Sequence, residues 1–147
     1  MTEKRLTPLQ AILYGGLVVG VLDILSAILF WYFRAGAKPI VIFQSVASGL
    51  LGREAARGGG IPTAVLGGAL HFFIATTIVA IYVLASGKLE VLKLRPVLCG
   101  LLYGVVAYFV MSYVVVPLSA ANSAGGIPPL PVFLFGIFGH AFLVGLP

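Results

Sequence analysis

The sequence predicts an all-α membrane protein, a four-transmembrane-helix bundle with a short re-entrant or interfacial helix between the first and second spans. Three observations carry this expectation. The 147 residues are 61% hydrophobic and only 9% charged, whereas soluble domains carry roughly 25% charged residues. The basic residues are segregated: Lys4, Arg5, Arg34, Lys38, Arg53, Arg57, Lys88, Lys93 and Arg95 all stand outside the long apolar runs. Those runs also suit a bilayer, because a helix rising about 1.5 Å per residue crosses the hydrocarbon core in about 20 residues.

The first span is expected over residues 9–33. It is too long for the roughly 7–15-residue apolar region of a signal peptide, and no A-x-A-type cleavage site follows it, so a retained anchor is expected. Residues 39–57, PIVIFQSVASGLLGREAAR, are too short in their apolar part to span and too apolar for an ordinary loop. Ser45 and Gly49 repeat at helical spacing, as do Ser48, Gly52 and Ala56, giving a small-residue edge suited to close helix contact. This is the short extra helix. Gly58, Gly59 and Gly60 then form a flexible hinge into the second span.

The second, third and fourth spans are expected at 62–86, 97–119 and 131–147. The last reaches only about 25 Å at helical rise. Pro8, Pro62, Pro96 and Pro131 each fall at or near a first helical turn, where the missing N–H costs nothing. All of this makes residues 1–147 a single transmembrane domain.

Charge sets the surroundings. A net charge of +5 in single or paired basic residues suits anionic lipid headgroups, and no nucleic-acid motif is present. The 120–130 connection has no basic residue, which places it on the translocated side of the inner membrane and the N-terminus in the cytoplasm. The 34–57 connection, with Arg34, Lys38, Arg53 and Arg57, obeys that rule poorly. Cys99 is the only cysteine, so no internal disulfide forms, and it reads as a small apolar residue.

One acid lies where acids are expensive. Asp23 has fifteen uncharged residues before it, back to Pro8, and ten after it, up to Phe33. A carboxylate at the centre of a spanning helix costs roughly 2.5–3.5 kcal/mol on insertion scales, and one interhelical polar contact returns about 0.6. A purely structural role therefore fits Asp23 badly. Counting depth finds partners. Asp23 lies ten residues before Phe33, His71 nine after Pro62, Tyr108 ten before Leu118 and His140 nine after Pro131. In four alternating spans these four side chains share a level about 13–15 Å from one face. Small residues on the same helix faces (Gly16 and Gly20, Gly67 and Gly68, Gly100 and Gly104, Gly136) turn this layer inward.

The pattern predicts a polar intramembrane site of Asp23, His71, Tyr108 and His140, with Gln44, Ser45 and Ser48 at a possible entrance and Gly58–Gly60 as the hinge. Aligned Asp and His at mid-depth are what proton relays and ion sites use. The leading reading is a proton- or ion-linked channel or transporter, a homo-oligomer because one four-span unit is small. A second reading is a non-catalytic accessory or structural subunit docked to another membrane protein. A third is metal or haem b binding through the two histidines and Asp23, although no Cys-x-x-Cys-His or helical His-x-x-x-His pair supports it. No enzyme is expected, since no nucleotide-binding glycine motif and no G-x-S-x-G elbow is present.

Three stretches add a resemblance: LHFFIATTIVAIYVLA in the second span, CGLLYGVVAYFVMSYVVVPLSA in the third and FGIFGHAFLVGLP in the fourth. Together they resemble small bacterial four-helix inner-membrane proteins, and more distantly they are similar to an inner-membrane family linked to acid resistance. The resemblance implies His71, Pro117, Gly139 and His140 as family positions and brings no ligand with it.

Overall fold

A computed structural model describes residues 6–121 and 127–147, and among these it holds helices and no strand. The elements are α1 (Pro8–Ala35), α2 (Pro39–Leu51), α3 (Arg53–Gly58), α4 (Gly60–Ser86), the single turn α5 (Val91–Leu94), α6 (Pro96–Leu118) and α7 (Leu130–Gly145). Helices α1, α4 and α6 are long and apolar enough to cross a membrane. At most 22% of the most apolar stretch of each is buried, so their leucines and valines face outward. An apolar exterior of that kind belongs in lipid and marks the chain as a membrane protein.

Local chemistry sets the ends of α1. The Thr7 hydroxyl accepts from the Gln10 amide (3.3 Å) while the Gln10 side chain accepts from the Thr7 amide (3.0 Å). This capping box satisfies two donors that the helix start would otherwise strand. At the other end Gly36 takes φ 63°, and the Gly36 and Ala37 amides donate to the Tyr32 and Trp31 carbonyls. A left-handed cap of this type favours glycine.

The long helices meet edge to edge through small residues. A side chain at Gly16 would strike Thr76, and one at Gly20 would strike Phe72, so α1 lies antiparallel on α4. Gly100 approaches Gly145, Gly104 approaches His140 and Gly136 approaches Tyr108, which sets α7 antiparallel on α6. Phe30 stacks on Phe135 with ring centroids 3.9 Å apart and ties α1 to α7. The Tyr103 hydroxyl donates to the Ile78 carbonyl (2.7 Å) and ties α6 to α4. Helix α2 packs on α4 where the Phe43 carbonyl faces Gly67. Its far end is held to the end of α6 by the Ala120 amide donating to the Gly49 carbonyl (2.9 Å). Val19, Ala75 and Val144 form the buried core where α1, α4 and α7 meet.

Two features differ from the expected bundle. The 39–57 segment is two helices, broken at Gly52, whose φ of 79° is open to glycine and strained for other residues. The last helix, α7, is apolar but shorter than the three of crossing length. Part of the 120–130 connection that sets the expected orientation, residues 122–126, lies outside the described residues.

Candidate functional site

Helix α1 contributes Asp23, α4 contributes His71 and α7 contributes His140. All three line one cavity of about 180 Å³, whose remaining wall is apolar. Five helices build it, because Val46 of α2 and Met111 of α6 close its sides. Helical rise is the reason for the convergence: antiparallel helices that enter from alternate faces place residues counted equally from one face at one level.

Each histidine is anchored through one ring nitrogen. His71 is buried, and its Nε2–H donates to the Gly20 carbonyl (2.9 Å). The Nδ1–H of His140 donates to the Gly136 carbonyl one turn earlier on its own helix (3.0 Å). A carbonyl only accepts, so these bonds fix the tautomers. They also persist whether the ring is neutral or protonated, and they leave His71 Nδ1 and His140 Nε2 as the bases. No fully buried side-chain nitrogen or oxygen lacks a partner among the described residues, so those two nitrogens border open space. Asp23 is half-buried. Together the three groups offer a carboxylate and two imidazole bases around one small void.

Tyr108 stands beside this cavity rather than on it. Its ring is buried against Gly136 and meets the His140 ring edge-on, with centroids 5.4 Å apart. Among the described residues no group of three or more His, Cys, Asp and Glu comes together as a metal site. Nor does a void of 180 Å³ leave room for a porphyrin between the two histidines, since pockets for ligands of that size run to about 300–1,000 Å³.

Two further voids flank this cavity, one of them lined by the three residues expected at an entrance. Gln44, Ser45 and Ser48 line a larger cavity of about 570 Å³ together with Arg53 and Arg57, near the face where α1 and α6 end. It shares Val46, Ile74 and Met111 with the central cavity. A third cavity, of about 470 Å³, opens toward the opposite face among Tyr14, Tyr82 and Tyr103. It shares Val19, Ile78 and Val144 with the central one. The central cavity thus adjoins a void on either side, with three apolar residues forming the shared partition in each case.

Met111 and His140 each begin a π-helical segment, Met111–Val115 and His140–Gly145. Such segments are rare and recur at functional sites. Both end two residues before a proline, Pro117 and Pro147. Pro117 lies inside its helix, where a proline removes one backbone bond and crowds the carbonyl four residues earlier, and the widened turn relieves that; Pro147 lies past the end of α7. Pro117 inside an apolar run was therefore the available signal for Met111.

The glycine joint is closely tied. The Gln44 amide donates to the carbonyls of Gly60 (3.0 Å) and Arg57 (3.4 Å). Thr63 donates to the Ala56 carbonyl (2.6 Å). Gly60 takes φ 62°, and a side chain at Gly59 would strike Thr63, whereas Gly58 faces open space.

Compared with models of protein families, with curated proteins and with solved structures, the chain matches none, so the likeness of its second half to inner-membrane proteins stays a resemblance.

Proposed function

We propose that this is a four-helix inner-membrane protein that conducts protons, or moves a small solute with them, through the Asp23–His71–His140 cavity. In this reading α7 crosses as a fourth, short element, α2 enters the bundle from one face, and the N-terminus lies in the cytoplasm. The row of three voids, with the ionisable groups in its middle member, is the observation that carries the reading. Size sets the permeant. At about 30 Å³ per water in the liquid, 180 Å³ holds a few waters or a small ion and excludes larger solutes.

A proton entering from the arginine side would pass the Val46–Ile74–Met111 partition and reach an imidazole base. It would transfer through water to the Asp23 carboxylate or the second imidazole, and leave past Val19, Ile78 and Val144. Apolar constrictions of this kind gate by wetting and drying. The homo-oligomer expected from the chain's small size belongs to the same proposal, each copy carrying its own row of cavities.

The test is proton flux in proteoliposomes under a pH gradient and membrane potential, for the natural chain, Asp23→Asn and His71→Gln. The natural chain gives flux above empty liposomes. Asp23→Asn, reconstituted to the same density and monodisperse in detergent, removes it. Undiminished flux in that variant refutes the role of Asp23.

A further inference from the structure

Among the described residues, the polar groups of the central cavity are all hydrogen-bond acceptors. His71 commits its Nε2–H to the Gly20 carbonyl (2.9 Å), and His140 commits its Nδ1–H to the Gly136 carbonyl (3.0 Å). Each ring is left with a lone pair, at Nδ1 of His71 and at Nε2 of His140. Asp23 adds a carboxylate whose oxygens have no hydrogen-bond or ionic partner among the described residues, since Ser26 donates to the Asp23 backbone carbonyl (2.8 Å). The rest of the wall is valine, isoleucine, alanine and methionine, with no lysine, arginine or hydroxyl side chain.

An ionised carboxylate among apolar side chains is costly without a counter-charge. The imidazole lone pairs beside it bring no relief, because one acceptor cannot satisfy another. What completes such a set is an occupant that carries both positive charge and hydrogens to donate. Chemistry narrows its class. A transition metal would need nitrogen and oxygen ligands closing to about 2.0–2.2 Å, and these three groups do not come together in that way. Hydrogen bonds of about 2.7–3.2 Å suit a wider ring of acceptors, and a bridging water extends their reach. Alkali cations have no hydrogens to give and are held by oxygen ligands rather than imidazole. A small ammonium ion has a single charge and several N–H donors. It fits a void of 180 Å³, whose apolar wall also accommodates a methyl group.

We infer that the central cavity is a binding site for ammonium or methylammonium. Asp23 is the counter-ion, and His71 Nδ1 and His140 Nε2 are the further acceptors. In the conduction reading, on which this rests, ammonium is the small solute of that cavity.

The full chain in a neutral detergent is tested at fixed pH for saturable binding of radiolabelled methylammonium. Ammonium, potassium and tetramethylammonium chlorides are the competitors, at equal ionic strength. Saturable binding is expected, displaced by ammonium and not by potassium or by tetramethylammonium, which has no N–H. Asp23→Asn, which turns an acceptor oxygen into a donor, should weaken it about tenfold or more, the scale of losing a charge-assisted hydrogen bond. His140→Phe, which keeps a ring beside Tyr108 and removes the acceptor, should weaken it less. Lys93→Gln, in the 87–96 loop, should leave binding unchanged. Three results overturn the inference: no saturable binding, potassium competing as well as ammonium, or binding indifferent to both Asp23→Asn and His140→Phe in variants of unchanged helicity. Proton flux on the same preparations separates the two claims. Flux without methylammonium binding refutes the ammonium site alone, and binding without flux supports that site and refutes conduction.

Discussion

The two partitions flanking the central cavity are made of the same kind of side chain and are packed differently. On the arginine side, Val46, Ile74 and Met111 come from α2, α4 and α6, and each is only partly buried. On the tyrosine side, Val19, Ile78 and Val144 come from α1, α4 and α7, and Val19 and Val144 join Ala75 in the buried core. Backbone approach explains the difference. Gly16 and Gly20 let α1 settle on α4 around Val19, which is 1% exposed. At Met111, by contrast, the π segment widens α6 where it meets the cavity. An apolar side chain seals according to what stands behind it. The tyrosine-side partition, which holds two residues of the buried core, is thus the more tightly packed of the two.

Substitutions in the two partitions should then act unequally. Val19→Ala opens a void in the tight partition and joins the central cavity to the tyrosine-lined one. Proton leak through proteoliposomes should rise several-fold, and the melting transition in detergent should report a loss of about 1–3 kcal/mol, the scale of a truncated buried side chain. Met111→Ala removes a half-buried side chain from a partition already loose. Its stability cost should be smaller, about 1 kcal/mol, with leak close to that of the natural chain. If the two variants leak alike, the partitions are equivalent and the asymmetry has no functional content. The smallest effect is expected at the joint. Gln44→Ala should cost roughly 0.5–1 kcal/mol, the net worth of an ordinary hydrogen bond. It should also speed amide exchange around residues 57–63 while leaving α1 unchanged.

Much of the helical layout was legible because its causes are local. Pro8 and Pro96 begin helices, and the apolar runs give their lengths. The common level of Asp23, His71 and His140 followed from counting at a constant rise, which works for any straight antiparallel set. Tyr108 was counted to the same level, yet its ring turns to His140 beside the cavity, since level fixes height along the axis and not direction around it. The break at Gly52 was hidden because a glycine at helical spacing reads equally as a packing edge or as a stop. The partitions were not legible at all. Val19, Val46 and Val144 differ from the lipid-facing valines around them only in what they touch, and sequence spacing does not record that. Arg53 and Arg57 stood out as charges on the expected outer side, but their shared cavity depends on α2 and α6 arriving from elsewhere in the chain.

Directional access to the central cavity is the most direct measure of this arrangement. In a Cys99→Ser background, which removes the only cysteine, Ile74→Cys and Ile78→Cys place a thiol one turn apart on α4, one in each partition. A membrane-impermeant thiol reagent is applied from each side of oriented vesicles, with side chains near Arg57 and Tyr14 marking the two faces. Position 74 should label from the arginine side alone, and position 78 should stay protected from both. Equal labelling of the two positions, or labelling of position 78 from the tyrosine side, would contradict the proposed row of voids with one loose and one sealed partition.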